Sequence, residues 1–240
     1  MAVEVPSEVA QFLDFVGVPW INVNEDRVRD FADHVRQFAA DLGDVHQDAT
    51  ATLTSLGAGY SGAAYEALMQ MWSGKSSTHL TELIEGCGVL AGALDGAAGF
   101  IAGQKSACLV ELAGLAVSFL ADQAAAVVTF GAAEAAEALI VEGAEKLMEF
   151  TEQQIEQYVI GQVLDAALRP LMSKMDGAVQ GLLLSADQSG LGAAGIEVGP
   201  SFSVDLDHVG AHAARMREHA QTVSGHTQKF TTNLRGLSFS

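Results

Sequence analysis

Apolar side chains recur along this chain at steps of three and four. From Val28 they fall at Phe31, Val35, Phe38, Leu42, Val45, Ala49, Leu53 and Leu56, a seam held for about four heptads. The seam predicts a long amphipathic helix. Asn22 and Glu25 have capping-box spacing, which starts it near Val23. Asp26, Asp30, Asp33, Arg36, Asp41, Asp44 and Asp48 line its outer, solvated side. The pattern stops at Gly57, Gly59 and Gly62, then resumes with Ala64, Leu68, Met71, Leu80, Leu83, Cys87, Leu90, Leu94 and Ile101. Glycine supplies positive φ cheaply and often closes a helix. Residues 57–61 therefore read as a tight reversal between two long helices, with the Tyr60 ring laid across both helix ends.

The rest of the chain follows the same period. Pro6-Ser7-Glu8 starts a short helix through Val16 that Gly17-Val18-Pro19 stops. Phe12, Phe15 and Trp20 are expected to pack onto the main bundle. Gly74 and its serines predict a bend near residues 74–78. Gly86, Gly88, Gly92, Gly96 and Gly99 predict a tight crossing with another helix. Residues 105–187 read as one or two more helices, broken or kinked at Arg169-Pro170. Glu134, Glu137, Glu142, Glu145, Glu149, Glu152 and Glu156 mark a solvated face. Residues 187–200 (DQSGLGAAGIEVGP) form a Gly-rich linker. A last helix is expected from Asp205 to Leu234, with a seam of Leu206, Val209, Ala213, Met216, Ala220, Val223, Thr227, Phe230 and Leu234. The ending TNLRGLSFS echoes TLTSLGAGYSG at residues 52–62, with Phe239 in the place of Tyr60. A degenerate repeat, or a chain cut from a longer one, is expected on that ground.

Composition sharpens this picture. The chain is 49% hydrophobic but 7% aromatic, which favours close-packed helices over sheets. A net charge of −18 argues against nucleic acid and anionic membrane surfaces as partners. Cys87 and Cys108 sit among apolar residues and read as buried thiols; if the chain is exported, a disulfide between them is the alternative. Residues 112–133 hold a single charge, Asp122. They read as a fully buried helix, with a membrane span as the alternative reading. No phosphate loop, dinucleotide fingerprint, nucleophile elbow or H-E-x-x-H occurs, so no catalytic residue and no cofactor is expected. The opening MAVEVPSEVAQFLDFVG has no basic region, so export would need a route without a signal peptide.

Helix, aromatic-x-Gly turn and returning helix together resemble the WxG hairpin family of type VII (ESX) secretion substrates. Tyr60-Ser61-Gly62 carries the resemblance, followed by small Ala63 and Ala64, with Tyr where the family usually has Trp. A literal Trp72-Ser73-Gly74 also occurs, but a turn there would bury the Gly57/Gly59/Gly62 cluster in a helix at about 1 kcal/mol per glycine. The hairpin, the Ala/Gly-rich middle and the second seam resemble the N-terminal domain of actinobacterial polymorphic toxins of the channel-and-necrosis type. The resemblance implies a non-catalytic module that binds small helical WxG-family partners and the type VII machinery, precedes a C-terminal toxin, and leaves the cytoplasm for the cell surface or medium. The family's Tyr-x-x-x-Asp/Glu signal is missing: Ala64, Met69 and Gln162 stand four residues after Tyr60, Tyr65 and Tyr158. The signal is then expected in a partner or beyond residue 240.

The expected architecture is all-α, an elongated helical bundle built on a long antiparallel hairpin. Its parts are a preface (1–21), the hairpin (22–102), the helical middle (103–187), the linker (188–204) and a second WxG-like helix (205–240). The turn residues Gly57, Gly59, Tyr60, Ser61 and Gly62 and the partner-facing candidates Trp20, Trp72, Met216, Val223 and Phe230 are the first positions of interest. His208, His212, His219 and His226 share one side of the last helix. Three readings stand for them: a polar border to the seam, a pH-sensitive contact with the acidic bundle, or a metal site that lacks a third ligand. A membrane-inserting pore built on residues 112–133 is the alternative function.

Overall fold

A computed structural model describes residues 2–126, 132–175 and 203–238, without the side chains of residues 75–77 and 122–136. Nearly all of these residues are helical. The elements are α1 (Ser7–Val16), α2 (Glu25–Leu56), β1 (Tyr60–Ser61), α3 (Ala63–Met71), α4 (Ser77–Ala126), α5 (Ala132–Tyr158), β2 (Ser203–Val204) and α6 (Leu206–Arg235). A π-helical turn, Trp72–Ser76, joins α3 to α4 where the bend was expected. A second π-helical stretch, Val159–Leu168, follows α5, and helix continues through residues 169–175. Pro170 cannot donate to the carbonyl one turn back, and the widened turns lie just before it. The all-α class holds; the linker at 187–200 and Phe239 lie outside the described residues.

The chain divides into two compact units. The first comprises residues 1–30, 93–165 and 238–240. In it α1 ends on Gly17 at φ 74°, with the Val18 amide donating to Leu13 O at 3.1 Å. Phe12 and Phe15 both meet Phe119, with ring centroids 5.7 and 4.8 Å apart. Leu94, Ala98, Ile101, Cys108, Leu112, Ala116 and Phe119 form the buried stripe of α4. Ile140, Ala144, Met148, Thr151 and Ile155 form that of α5, while Glu142, Glu145, Glu149, Glu152 and Glu156 face solvent as expected.

Two expectations for α4 need correction. Residues 112–121, the part of this stretch whose side chains are described, are not fully buried, because Val117 is 68% and Leu120 64% exposed. Val110, on the same helix, is 75% exposed. The helical run Ala63–Ala121 is long and apolar enough to cross a membrane by length and composition, and 39% of its most apolar window is buried. The dense glycines do not all mark a crossing either. A Cβ on Gly88, Gly92 or Gly99 would meet nothing within 4 Å, and one on Gly96 would lie 3.3 Å from the Tyr158 hydroxyl.

The first unit also holds a buried ion pair. Asn24, not Asn22, caps α2, its Oδ1 accepting from the Asp26 and Arg27 amides at 3.0 and 3.2 Å. Glu25 is thereby free to turn inward, where it is fully buried. It accepts from the Val3 amide and from Lys105 Nζ at 3.0 Å. Lys105 also donates to Val23 O at 2.9 Å and lies 5.8 Å from the Trp20 ring centroid. Burial pushes the Glu25 carboxyl up, but the Glu25 and Val3 amides and Lys105 outweigh it and hold the group below its ordinary value.

Cys87 and Cys108 are free, buried thiols, so the disulfide alternative fails. Burial pushes both thiols above the ordinary range. At Cys108 a hydrogen bond with Thr151 opposes the rise and the Glu111 charge adds to it. A thiol-specific reagent at neutral pH is expected to label neither cysteine in the native chain and both after denaturation. Rapid labelling of either in the native chain would contradict this packing.

Candidate functional site: the hairpin turn and its histidine-lined seam

The second unit comprises residues 31–92 and 166–237. In it α2 ends at Leu56 and the chain reverses at Gly57–Gly62, as the period predicted. The three glycines serve different ends. Only Gly62 has a positive φ, 123°, where it precedes α3. Gly57 and Gly59 are needed for close approach. A Cβ on Gly57 would lie 2.7 Å from the Tyr65 hydroxyl, and one on Gly59 would lie 2.4–2.8 Å from His208 Cδ2, Cγ and Cβ. The ring that reaches over the helix end is Tyr65 rather than Tyr60. Its hydroxyl donates to Leu53 O at 3.4 Å and to Thr54 O at 3.3 Å, the latter also accepting from the Gly57 amide at 3.2 Å. Tyr60 packs edge-on against Tyr65, centroids 6.1 Å apart.

A feature the periodicity did not foretell closes the turn. Tyr60 and Ser61 pair antiparallel with Val204 and Ser203, and the Asp205 amide donates to Gly59 O at 2.8 Å. Asp205 then caps α6, its carboxylate accepting from the Asp207 and His208 amides. Two residues per strand are too few for alternation to be read.

From that anchor α6 runs antiparallel along α2, and its histidines share the inward side with most of the expected apolar seam: Val209, Ala213, Met216, Val223, Phe230 and Leu234 are half-buried, as are His208, His219 and His226. Leu206 is 79% exposed, and His212 is the buried residue of α6. His208 Nε2 donates to Ser55 O at 3.2 Å. His212 donates from Nδ1 to His208 O at 2.8 Å and meets Ser55 Oγ through Nε2 at 2.8 Å. His219 Nε2 lies 3.0 Å from Thr52 Oγ1, and His226 Nδ1 lies 3.0 Å from Asp41 Oδ2. Asn233 reaches His34 Nδ1 at 3.5 Å, and Phe230 stacks on Phe38 at 4.7 Å.

The physical reason is a second heptad on α2. His34, Asp41, Asp48 and Ser55 recur every seven residues, opposite Asn233, His226, His219 and His212 on α6. Desolvating such polar groups is tolerable only with polar partners, so the histidines turn inward. Asp41 accordingly belongs to this seam rather than to the solvated face. Asp48, Thr52, Ser55, Arg215, Glu218 and His219 help to line an open groove of about 600 Å³. Sequence reasoning found the histidine stripe but missed its partners, although their seven-residue spacing was visible.

The partner-facing candidates have mixed placements. Trp72 stacks on His46, centroids 5.5 Å apart, and donates to Thr50 Oγ1 at 3.0 Å. Trp72-Ser73-Gly74 is thus a π-helical turn inside a helix and not the reversal. Trp20 is half-buried beside Lys105, Phe230 is engaged with Phe38, and Met216 and Val223 are half-buried. Among the described residues no group of three or more His, Cys, Asp or Glu side chains could hold a metal ion.

Comparison with protein families matches the WXG100 like domain over residues 5–146, more than half of the chain and including the reversal at Tyr60–Gly62. The chain belongs to the WXG100-like family. This family is associated with type VII secretion and consists of helical proteins exported without a signal peptide. The matched span takes in α1, the hairpin, all of α4 and the first half of α5 of the WXG100-like chain. Searches of curated proteins and of solved structures return no match.

Proposed function

We propose that this WXG100-like chain is the non-catalytic secretion and partner-binding module of a type VII toxin or effector. It acts by helix–helix packing, with a small helical WxG-family protein as partner, and any toxin activity resides in a separate domain. The observation that carries the reading is the family match across a helical hairpin whose turn holds Tyr60-x-Gly62. The Ala/Gly-rich α4 and the second amphipathic helix, α6, support the finer likeness to actinobacterial polymorphic toxins. Because the Tyr-x-x-x-Asp/Glu signal is missing from the three tyrosine positions, the partner is proposed to supply it.

Export tests this directly. In a strain with an active type VII system, the tagged chain is expected in the culture filtrate together with its partner. It is expected to stay in the cells when the ATPase of that system is disabled. Equal filtrate levels in the two strains would contradict the proposal.

A further inference from the structure

We propose that the outward face of α4 between Gly99 and Ala121 is a self-association surface, on which a second copy of this chain docks antiparallel about Val110. The helix carries two seams. The buried one is Leu94, Ala98, Ile101, Lys105, Cys108 and Leu112. It has neighbours within the first unit: Cys108 Sγ, for example, lies 3.6 Å from Met148 Sδ of α5. Five residues on from each of these stand Gly99, Gly103, Ser106, Val110, Ala113 and Val117, all exposed. Both runs step by four and three, so they are parallel heptad seams about 140° apart on one helix. A helix patterned in this way is built to be flanked on two sides, and the second side is open. Apart from the helix's own backbone, nothing lies within 4 Å of where a Cβ would stand on Gly99, Gly103 or Gly114. Val110 is 75% and Val117 68% exposed.

Shape and charge select the occupant. The open seam is small at its Gly99 end and bulkier beyond Val110, its midpoint. Turned end for end about Val110, one copy sets Gly103 against the second copy's Val117. Ser106 and Ala107 then face Gly114 and Ala113, and Gly99 faces Ala121. Val110 meets its own counterpart, as a two-fold axis requires. A parallel pair would instead set glycine on glycine and valine on valine, leaving one end of the contact unfilled. Charge points the same way. In a chain of net charge −18, residues 99–121 hold two charged side chains, the buried Lys105 and Glu111 at the edge of the face. Two such acidic copies repel each other, and an uncharged strip is where they can touch. A basic partner would find only Glu111 to pair with there. The strip is ~33 Å long and ~10 Å wide. It therefore gives a contact of the small class, under about 600 Å² per copy, with a Kd expected in the micromolar range.

Sedimentation equilibrium of the full chain alone, at about 0.1 M and about 0.5 M salt, tests the surface. A reversible dimer is expected, about threefold tighter at the higher salt because screening relieves the repulsion between acidic copies. Val110→Glu, which sets two carboxylates at the two-fold axis, is expected to weaken it at least tenfold, and Glu111→Gln to tighten it about threefold. Both positions are exposed, so circular dichroism should show both variants folded. Register is read by oxidation, since the native Cys87 and Cys108 are buried. Val110→Cys should cross-link to itself, and Gly103→Cys to Val117→Cys but not to itself. A chain that stays monomeric, a dimer that survives Val110→Glu, or self-cross-linking of Gly103→Cys would overturn the proposal. So would a chain that covers this face only when a different protein is added. The inference does not rest on the proposed function, and its failure leaves export and partner binding standing.

Discussion

Lys105→Met is expected to destabilise the chain by about 3–5 kcal/mol, the usual cost of leaving a buried charge without its partner. Glu25 is fully buried, and Lys105 is the one charged group it meets among its recorded contacts. Removing the ammonium also leaves Val23 O without a donor. The double change Glu25→Leu with Lys105→Met is expected to be far milder, because it removes both charges together. Urea unfolding followed by circular dichroism reads both values; a loss under about 1 kcal/mol for the single variant would mean that the pair is solvated. The same pair predicts an acid limit. A carboxyl held lower in the folded than in the unfolded chain contributes stability above its unfolded value, about pH 4.3, and loses it as pH falls through the folded value. The melting temperature should therefore fall more steeply below about pH 4.5 for the wild-type chain than for Glu25→Gln.

Gly59→Ala is the second large effect, expected to cost about 1–3 kcal/mol through overpacking. The added methyl would meet His208 Cβ at 2.8 Å as well as its ring, so rotating the ring gives no escape and the first turn of α6 must move. The contacts at stake are Asp205 N–H to Gly59 O, His208 to Ser55 O and the β1–β2 pair. Hydrogen exchange should rise at residues 203–212 and stay unchanged in α5. Gly74→Ala is the control: nothing lies within 4 Å of that position, so no destabilisation is expected although it belongs to the literal Trp-x-Gly. Unchanged exchange at residues 203–212 in Gly59→Ala would contradict the placement of α6 on the turn.

The hairpin was legible because helical periodicity is strong over long segments. The end of α2 at Leu56, the start of α3 beside Gly62 and the span of α6 from Asp205 all follow from where the three-four spacing starts and stops. The inward face of α6 was not legible in the same way. Its apolar residues and its histidines border one another and share that face, and the polar heptad of α2 that meets the histidines lies far off in the sequence. Glu25 was read as a cap because its spacing suits one; the lysine that draws it inward stands eighty residues away. The reach of Tyr65 over the helix end depends on Gly57 having no side chain, a fact of tertiary packing.

The proposed function has this chain packing its helices against a partner. Its most direct test is the mass, by light scattering after size exclusion, of the chain co-expressed with the small WxG proteins encoded beside its gene. A stable complex of defined stoichiometry is predicted. A clean monomer that ignores every one of them would contradict the account.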